Sequence, residues 1–190
     1  KFMGERRDVP HPQFSERLCI VLVNPMHDGN IGAVARSMLN FGIRDLRIVG
    51  KQKPWSEEVR NRAKNAQIVL NDATLYASFD EAVSDCSVVV GTSGKREGGN
   101  KTELRHFVMP EELPSRLDGI EGRVALVFGP EGKGLVNNQL RACDLLVTIP
   151  SWEGYPILNL SHAVAILCYA WFDNSTEDAM PNTEERLISP

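Results

Sequence analysis

Two rhythms of apolar residues alternate along this chain. LCIVLVN (18–24) is a short apolar run rich in β-branched residues and predicts a buried strand. In NIGAVARSMLNFG (30–42), Ile31, Val34, Ala35, Met38 and Leu39 recur at helical spacing, and Gly42 closes the helix. IRDLRIVG (43–50) alternates as a second strand. PWSEEVRNRAKNA (54–66) predicts a helix with proline at its front and acids in its first turn. FDEAVSDC (79–86) predicts a short helix, and SVVVG (87–91) a third strand. Pro114 keeps any helix in EELPSRLDGI (111–120) short. RVALVFG (123–129) predicts a fourth strand, LVNNQLRAC (135–143) a helix and LLVTIP (145–150) a fifth strand. LNLSHAVAILCYAWF (158–172) predicts a long helix, apolar nearly all round.

Strands alternating with helices predict an α/β fold, a mostly parallel sheet covered by helices on both faces. With no internal repeat and no linker, residues 18–172 read as a single domain. An N-terminal arm (1–17) precedes it and a polar acidic tail (173–190) follows. In such sheets ligands bind at the carboxyl ends of the strands, so the loops there are the place to look for chemistry.

Composition narrows the functional classes. The 190 residues are 42% hydrophobic, with no apolar run long enough for a membrane span and no secretory signal in the charged start KFMGERRDVP. Cys19, Cys86, Cys143 and Cys168 lie far apart in apolar surroundings without a C-x-x-C pair. This argues against zinc and redox motifs and predicts four buried thiols in a reducing cytosol. Net charge is −4, unevenly spread. Residues 36–66 hold eight bases and three acids, whereas residues 173–190 hold five acids and one base. A solvated charged helix explains the first segment as readily as a nucleic-acid surface does.

Three loops after late strands are rich in glycine or proline: GTSGKREGG (91–99), GPEGKG (129–134) and PSWEGYPI (150–157). Neither of the first two has the spacing or the hydroxyl of a nucleotide-triphosphate loop, and no G-x-G-x-x-G stretch exists. Tight turns explain one glycine per loop. Three backbone-rich loops at one sheet edge suit a ligand read by N–H and C=O groups, such as an adenine ring. Glu131 is then either a solvated turn acid or the one carboxylate at the site. Asn159 and Ser161, at the start of an apolar helix, are a cap or a ligand contact. His162 beside them reads as structural. Arg36 lies close to the apolar stripe of the first helix, a position that usually brings an anionic partner.

NIGAVARSMLNFG, LVFGPEGKGL and IPSWEGYPILNLSHAVAI resemble the three motifs of the SpoU/TrmH-type SPOUT RNA 2′-O-methyltransferases, and VVVGTSGKRE is most like the TrmJ branch, which methylates tRNA. The resemblance runs from about Leu18 to Phe172. It implies a deep C-terminal trefoil knot, S-adenosyl-L-methionine as cofactor with no metal, a homodimer, and a cytoplasmic enzyme. The reaction it implies is methyl transfer to a ribose 2′-hydroxyl of RNA, for this branch nucleotide 32 of a tRNA anticodon loop. By motif, Asn30, Arg36, Glu131 and Asn159 correspond to the family's catalytic positions. Thr92, Ser93, Gly94, Gly129, Ile149, Pro156, Ile157 and Leu158 correspond to its cofactor contacts. Many relatives carry serine where this chain has Ile157, and Ala-Arg where it has Gly94–Lys95. An rRNA methyltransferase of the same family, or a knotted RNA-binding protein without catalysis, are the alternatives.

Overall fold

A computed structural model describes residues 9–94 and 107–175. The loop residues 95–99, the start of the N-terminal arm (1–8) and most of the acidic tail (176–190) lie outside the described residues. Among the described residues, seven parallel strands form one sheet: β1 (Leu18–Val23), β2 (Asp45–Val49), β3 (Thr74–Tyr76), β4 (Cys86–Thr92), β5 (Phe107–Val108), β6 (Arg123–Phe128) and β7 (Leu145–Val147). Their order is β3-β2-β1-β6-β4-β7-β5. Five strands were expected. The two additional ones, β3 and β5, are three and two residues long at the sheet edges, too short to show a period.

Side chains of the central strands leave the sheet alternately. Leu18, Ile20 and Leu22 of β1 join Val124, Leu126 and Phe128 of β6 in the larger core. Cys19, Val21 and Val23 join Ala125 and Val127 in the smaller one. Both faces are buried, which is why these strands read as unbroken apolar runs. Helix α1 (Asp28–Asn40) and helix α7 (Leu160–Ser175) supply Ile31, Val34, Ala35, Met38, Leu160, Val164, Leu167 and Cys168 to the larger core. Helices α4 (Phe79–Val83) and α6 (Asn137–Ala142) lie toward the smaller core, through Phe79, Ala82 and Leu140. The helix expected over 54–66 is shorter. Helix α2 (Glu57–Ala63) is capped by the hydroxyl of Ser56, which accepts from Val59 N at 3.4 Å, and Lys64 at φ 51° ends it. A further helix, α3 (Gln67–Asp72), follows, and α5 (Leu113–Arg116) is short, with Pro114 in its first turn.

Several single-residue expectations change. Only Cys19 and Cys168 are buried, whereas Cys86 and Cys143 are half-buried; none of the four is in a disulfide, and burial pushes the Cys168 thiol up to about 12. Helix α7 is not covered all round: His162, Ile166, Tyr169 and Asp173 form an exposed stripe at helical spacing. His162 is therefore on the surface. No described helix is long and apolar enough to cross a membrane.

At the amino-terminal end of the strands, opposite the loops of interest, Arg47 is 4% exposed and held by two aspartates and a backbone carbonyl. Its guanidinium donates to both oxygens of Asp85, to Asp45 and to the carbonyl of Ala82, and Arg123 also pairs with both aspartates. The hydrogen bonds from Arg47 outweigh burial and bring the Asp85 carboxyl from its usual 3.8 to about 2. A depressed folded value stabilises the protein above the unfolded pKa and ceases to as pH falls through the folded one. Asp85→Asn should thus lower the urea midpoint relative to wild type at neutral pH. The gap should narrow between about pH 4 and pH 2. Urea melts of both proteins across that range check this, and a gap independent of pH would contradict it.

Candidate functional site

The carboxyl ends of β1, β6, β4 and β7 are adjacent in the sheet, so the loops after them meet. Between them lies a cavity of about 780 Å³, within the size range of small-molecule sites. Its floor is apolar, built by strand-end residues such as Phe128, Leu146 and Val147. Its rim carries residues of the Gly- and Pro-rich loops: Thr92, Ser93 and Gly94; Gly129 to Gly134; Ile149; and Pro156, Ile157, Leu158 and Asn159. The floor residues were not singled out in the sequence, because a strand-end side chain facing a cavity has the same identity as one facing the core.

Gly129 answers why bare backbone is needed here. A Cβ at this position would overlap the carbonyl carbon of Gly134 and the amide nitrogen of Leu135. The loop folds back against its own start, and Gly134 N donates to Pro130 O at 2.9 Å. The third loop closes the opposite wall, since Ile157 Cδ1 lies 3.0 Å from where a Cβ of Gly94 would be. The Thr92 hydroxyl donates to Val127 O at 2.9 Å, tying the end of β4 to β6.

Glu131 is half-buried and saturated with donors, not a solvated turn acid. Its carboxylate accepts from Met26 N at 2.6 Å, His27 N at 3.3 Å and Asn30 Nδ2 at 2.7 Å. Burial raises its pKa, but the hydrogen bonds from Asn30 and the two backbone amides outweigh that and lower it below the usual carboxylate value. A carboxylate so held is poorly suited to take up a proton and well suited to fix a loop. Because Asn30 gives its Nδ2 to Glu131, its Oδ1 faces Asn159, whose Nδ2 donates at 3.1 Å. Asn159 Oδ1 then accepts from Ser161 N at 2.9 Å and Ser161 Oγ at 2.8 Å, capping α7. Asn159 is thus both a cap and a site residue. Ser161, 9% exposed, is its support.

The model of the SpoU rRNA Methylase family matches residues 17–169. This chain belongs to that family. It is 44% identical over 152 residues to the tRNA (cytidine-2'-O-)-methyltransferase TrmJ of Methanocaldococcus jannaschii, covering 80% of this chain and 66% of that protein. The structure of TrmJ from Z. mobilis ZM4 superposes with a TM-score of 0.73 at 34% identity, covering 81% of this chain and 67% of that one. AviRb from Streptomyces viridochromogenes, a SpoU methyltransferase solved in complex with AdoMet, shares the fold: TM-score 0.65 at 20% identity, covering 89% of this chain and 60% of that one. The chain spans about two thirds of the length of the curated relatives it matches.

In this SpoU-family chain the cavity brings together eleven of the twelve residues singled out by motif, and Arg36 is the exception. The expectation that Arg36 lies close to the core-facing stripe of α1 is not met. Arg36 is exposed and has no ion-pair partner among the described residues. The reason is angular: six residues after Asn30, it points about 120° away around α1. Gly32, one turn earlier on Arg36's side, packs against Val59 and Arg62 of α2, while Asn30 meets the start of α7.

The basic segment is also thinner than its count suggests. Arg47 is buried, Arg44 pairs with Asp72, Lys51 pairs with Asp28, and Lys53 donates to the carbonyls of Asn71 and Ala73. Arg36, Arg60, Arg62 and Lys64 remain exposed.

Because Glu131 joins two loops through three hydrogen bonds, Glu131→Gln should turn an accepting oxygen into a donor facing donors. We expect cofactor affinity and methyl transfer to fall, transfer by about tenfold to a hundredfold. Calorimetry with S-adenosyl-L-methionine and a radiolabelled transfer assay measure the two. Wild-type values for both would remove Glu131 from the site.

Proposed function

We propose that this chain is an S-adenosyl-L-methionine-dependent methyltransferase acting on a ribose 2′-hydroxyl of tRNA. The observation that carries this reading is the junction Glu131–Asn30–Asn159 at the rim of a glycine-walled cavity. The relative from M. jannaschii is named for cytidine 2′-O-methylation of tRNA, which supports the substrate class. The fold neighbour AviRb holds AdoMet, which supports the cofactor.

The residues present fit that cofactor. The crowded backbone at Gly129 leaves the rim lined by main chain, and the apolar floor suits an adenine ring. Thr92, Ser93, Gly94, Gly129, Ile149, Pro156, Ile157 and Leu158 would hold it. When bound, it would supply a methyl group activated by the positive sulfonium. The chain's task is then to orient a weak nucleophile and stabilise it as its proton leaves. An arginine rarely gives up its proton, so Arg36 acts as a fixed cation, holding a phosphate and the 2′-oxygen while the proton passes to phosphate or water. Asn30, Glu131 and Asn159 keep the loops around the reacting atoms in register.

We further infer a homodimer and a knot. An arginine required for catalysis but turned out of its own cavity is supplied most directly to the cavity of a second copy. The exposed stripe with Ile166 and Tyr169 on α7 offers an apolar contact for that copy. The sheet order supports the trefoil knot: β6 enters between β1 and β4, and the chain then runs to β7 before α7 packs back beside α1. On this reading residues 18–172 are the catalytic domain, and the work is done where tRNA is modified, in the cytoplasm.

The test is mass mapping of methylated ribose in tRNA and rRNA after incubation with the protein and labelled cofactor. Label at an anticodon-loop nucleotide of tRNA, position 32 for this branch, is the expected result. Label confined to rRNA would overturn the tRNA assignment. No label in either would favour a binding protein without catalysis.

A further inference from the structure

The loop between β7 and α7 carries two aromatic rings that take no part in the core. Trp152 is 79% exposed and Tyr155 is 81% exposed. The other two tryptophans are accounted for structurally: Trp171 is 7% exposed, and Trp55 donates its indole N–H to Leu70 O at 2.9 Å. Leaving two large rings in water forgoes the burial that aromatic side chains ordinarily bring. The loop is nonetheless ordered by its own bonds. Tyr155 N donates to Trp152 O at 3.1 Å, and Ser151 Oγ donates to Pro156 O at 2.7 Å.

Gly154 shows how Trp152 is presented. A Cβ on Gly154 would collide with the six-membered ring of the Trp152 indole. The indole therefore lies against bare backbone on one side and is open to solvent on the other. The next residues along the loop, Pro156, Ile157 and Leu158, line the cavity, so the rings are carried by the same loop that walls it. Glu153 lies between them, and its carboxylate is unfavourable to a phosphate.

We propose that Trp152 and Tyr155 are a stacking platform for unpaired nucleobases of the RNA strand flanking the methylated ribose. This rests on the RNA reading above. A flat ring supported from behind and open in front is the shape that stacks on a base. Glu153 directs the choice toward bases, because stacking tolerates a nearby carboxylate where phosphate binding does not. A platform of this kind favours single-stranded, splayed nucleotides such as those of a loop, since paired bases do not present their faces.

The experiment uses the intact chain with unfractionated tRNA as probe. Tryptophan fluorescence, RNA affinity, cofactor calorimetry, transfer kinetics and light scattering are measured for wild type, Trp152→Phe, Trp152→Ala and Tyr155→Ala. Each alanine variant should weaken tRNA binding and raise KM for tRNA by about tenfold. Cofactor affinity should stay within about twofold of wild type, because the rings lie outside the cofactor contacts. Trp152→Phe should restore most of the affinity, and tRNA should quench tryptophan emission in wild type but much less in Trp152→Phe. Alanine variants that bind tRNA like wild type would overturn the platform alone. Alanine variants that change the oligomeric state would also overturn it, by making the rings a subunit contact. A wild-type protein that binds no RNA would remove the RNA reading itself, and the platform with it.

Discussion

Gly129→Val is expected to abolish binding of S-adenosyl-L-methionine. Any Cβ at position 129 falls on the backbone of Gly134 and Leu135, and backbone cannot swing aside as a flexible side chain does. The loop must open, and opening it moves Glu131 away from Met26, His27 and Asn30. Rim and junction would be disturbed together, so a loss of at least about a hundredfold in affinity is expected. The loop follows the last residue of β6, and the strand itself is paired on both sides, with β1 and with β4. The sheet should therefore survive, and circular dichroism with a thermal melt will show whether it does. Gly129→Ala is the milder companion, with the same clash and a smaller side chain. Calorimetry on either folded variant is the measurement, and wild-type affinity would take this loop out of the cofactor site.

Arg36→Ala should lose methyl transfer by about a hundredfold to a thousandfold while keeping its affinity for the cofactor. Arg36 does not line the cavity of its own chain, so its removal leaves the rim, the floor and the Glu131 junction intact. If it serves the cavity of a second copy, its loss can be complemented. Arg36→Ala has a sound cavity and Gly129→Val has a sound arginine. Mixing the two inactive proteins under exchange should restore about a quarter of wild-type activity, because half the dimers would be mixed and each would hold one complete site. Activity regained on mixing would support the shared site. Cofactor affinity lost together with activity in Arg36→Ala would place the arginine on the cofactor side instead. Transfer at the wild-type rate would end its catalytic assignment.

What the sequence determined by itself is the class of fold and the location of the chemistry. Leu18–Val23 and Arg123–Phe128 are strands buried on both faces, and an unbroken run of β-branched and aliphatic residues cannot hide that. The spacing of Ile31, Val34, Ala35 and Met38 commits α1 to one buried face. Glycine-rich loops at the ends of those strands marked the site, because bare backbone is a local property written in residue type. Relations across the chain were illegible. Glu131 and Asn30 are 101 residues apart, and Asn159 and Asn30 are 129 apart. No periodicity links them: the placing of β6 beside β1 brings the first pair together, and the packing of α7 against α1 brings the second. Tertiary structure also decided the sign of each polar residue's environment. Arg47 and Arg36 look alike in sequence, yet one is locked in a buried ion-pair cluster and the other is exposed on the surface. Side-chain type states what a residue can bind. What it does bind depends on neighbours that only the folded chain supplies.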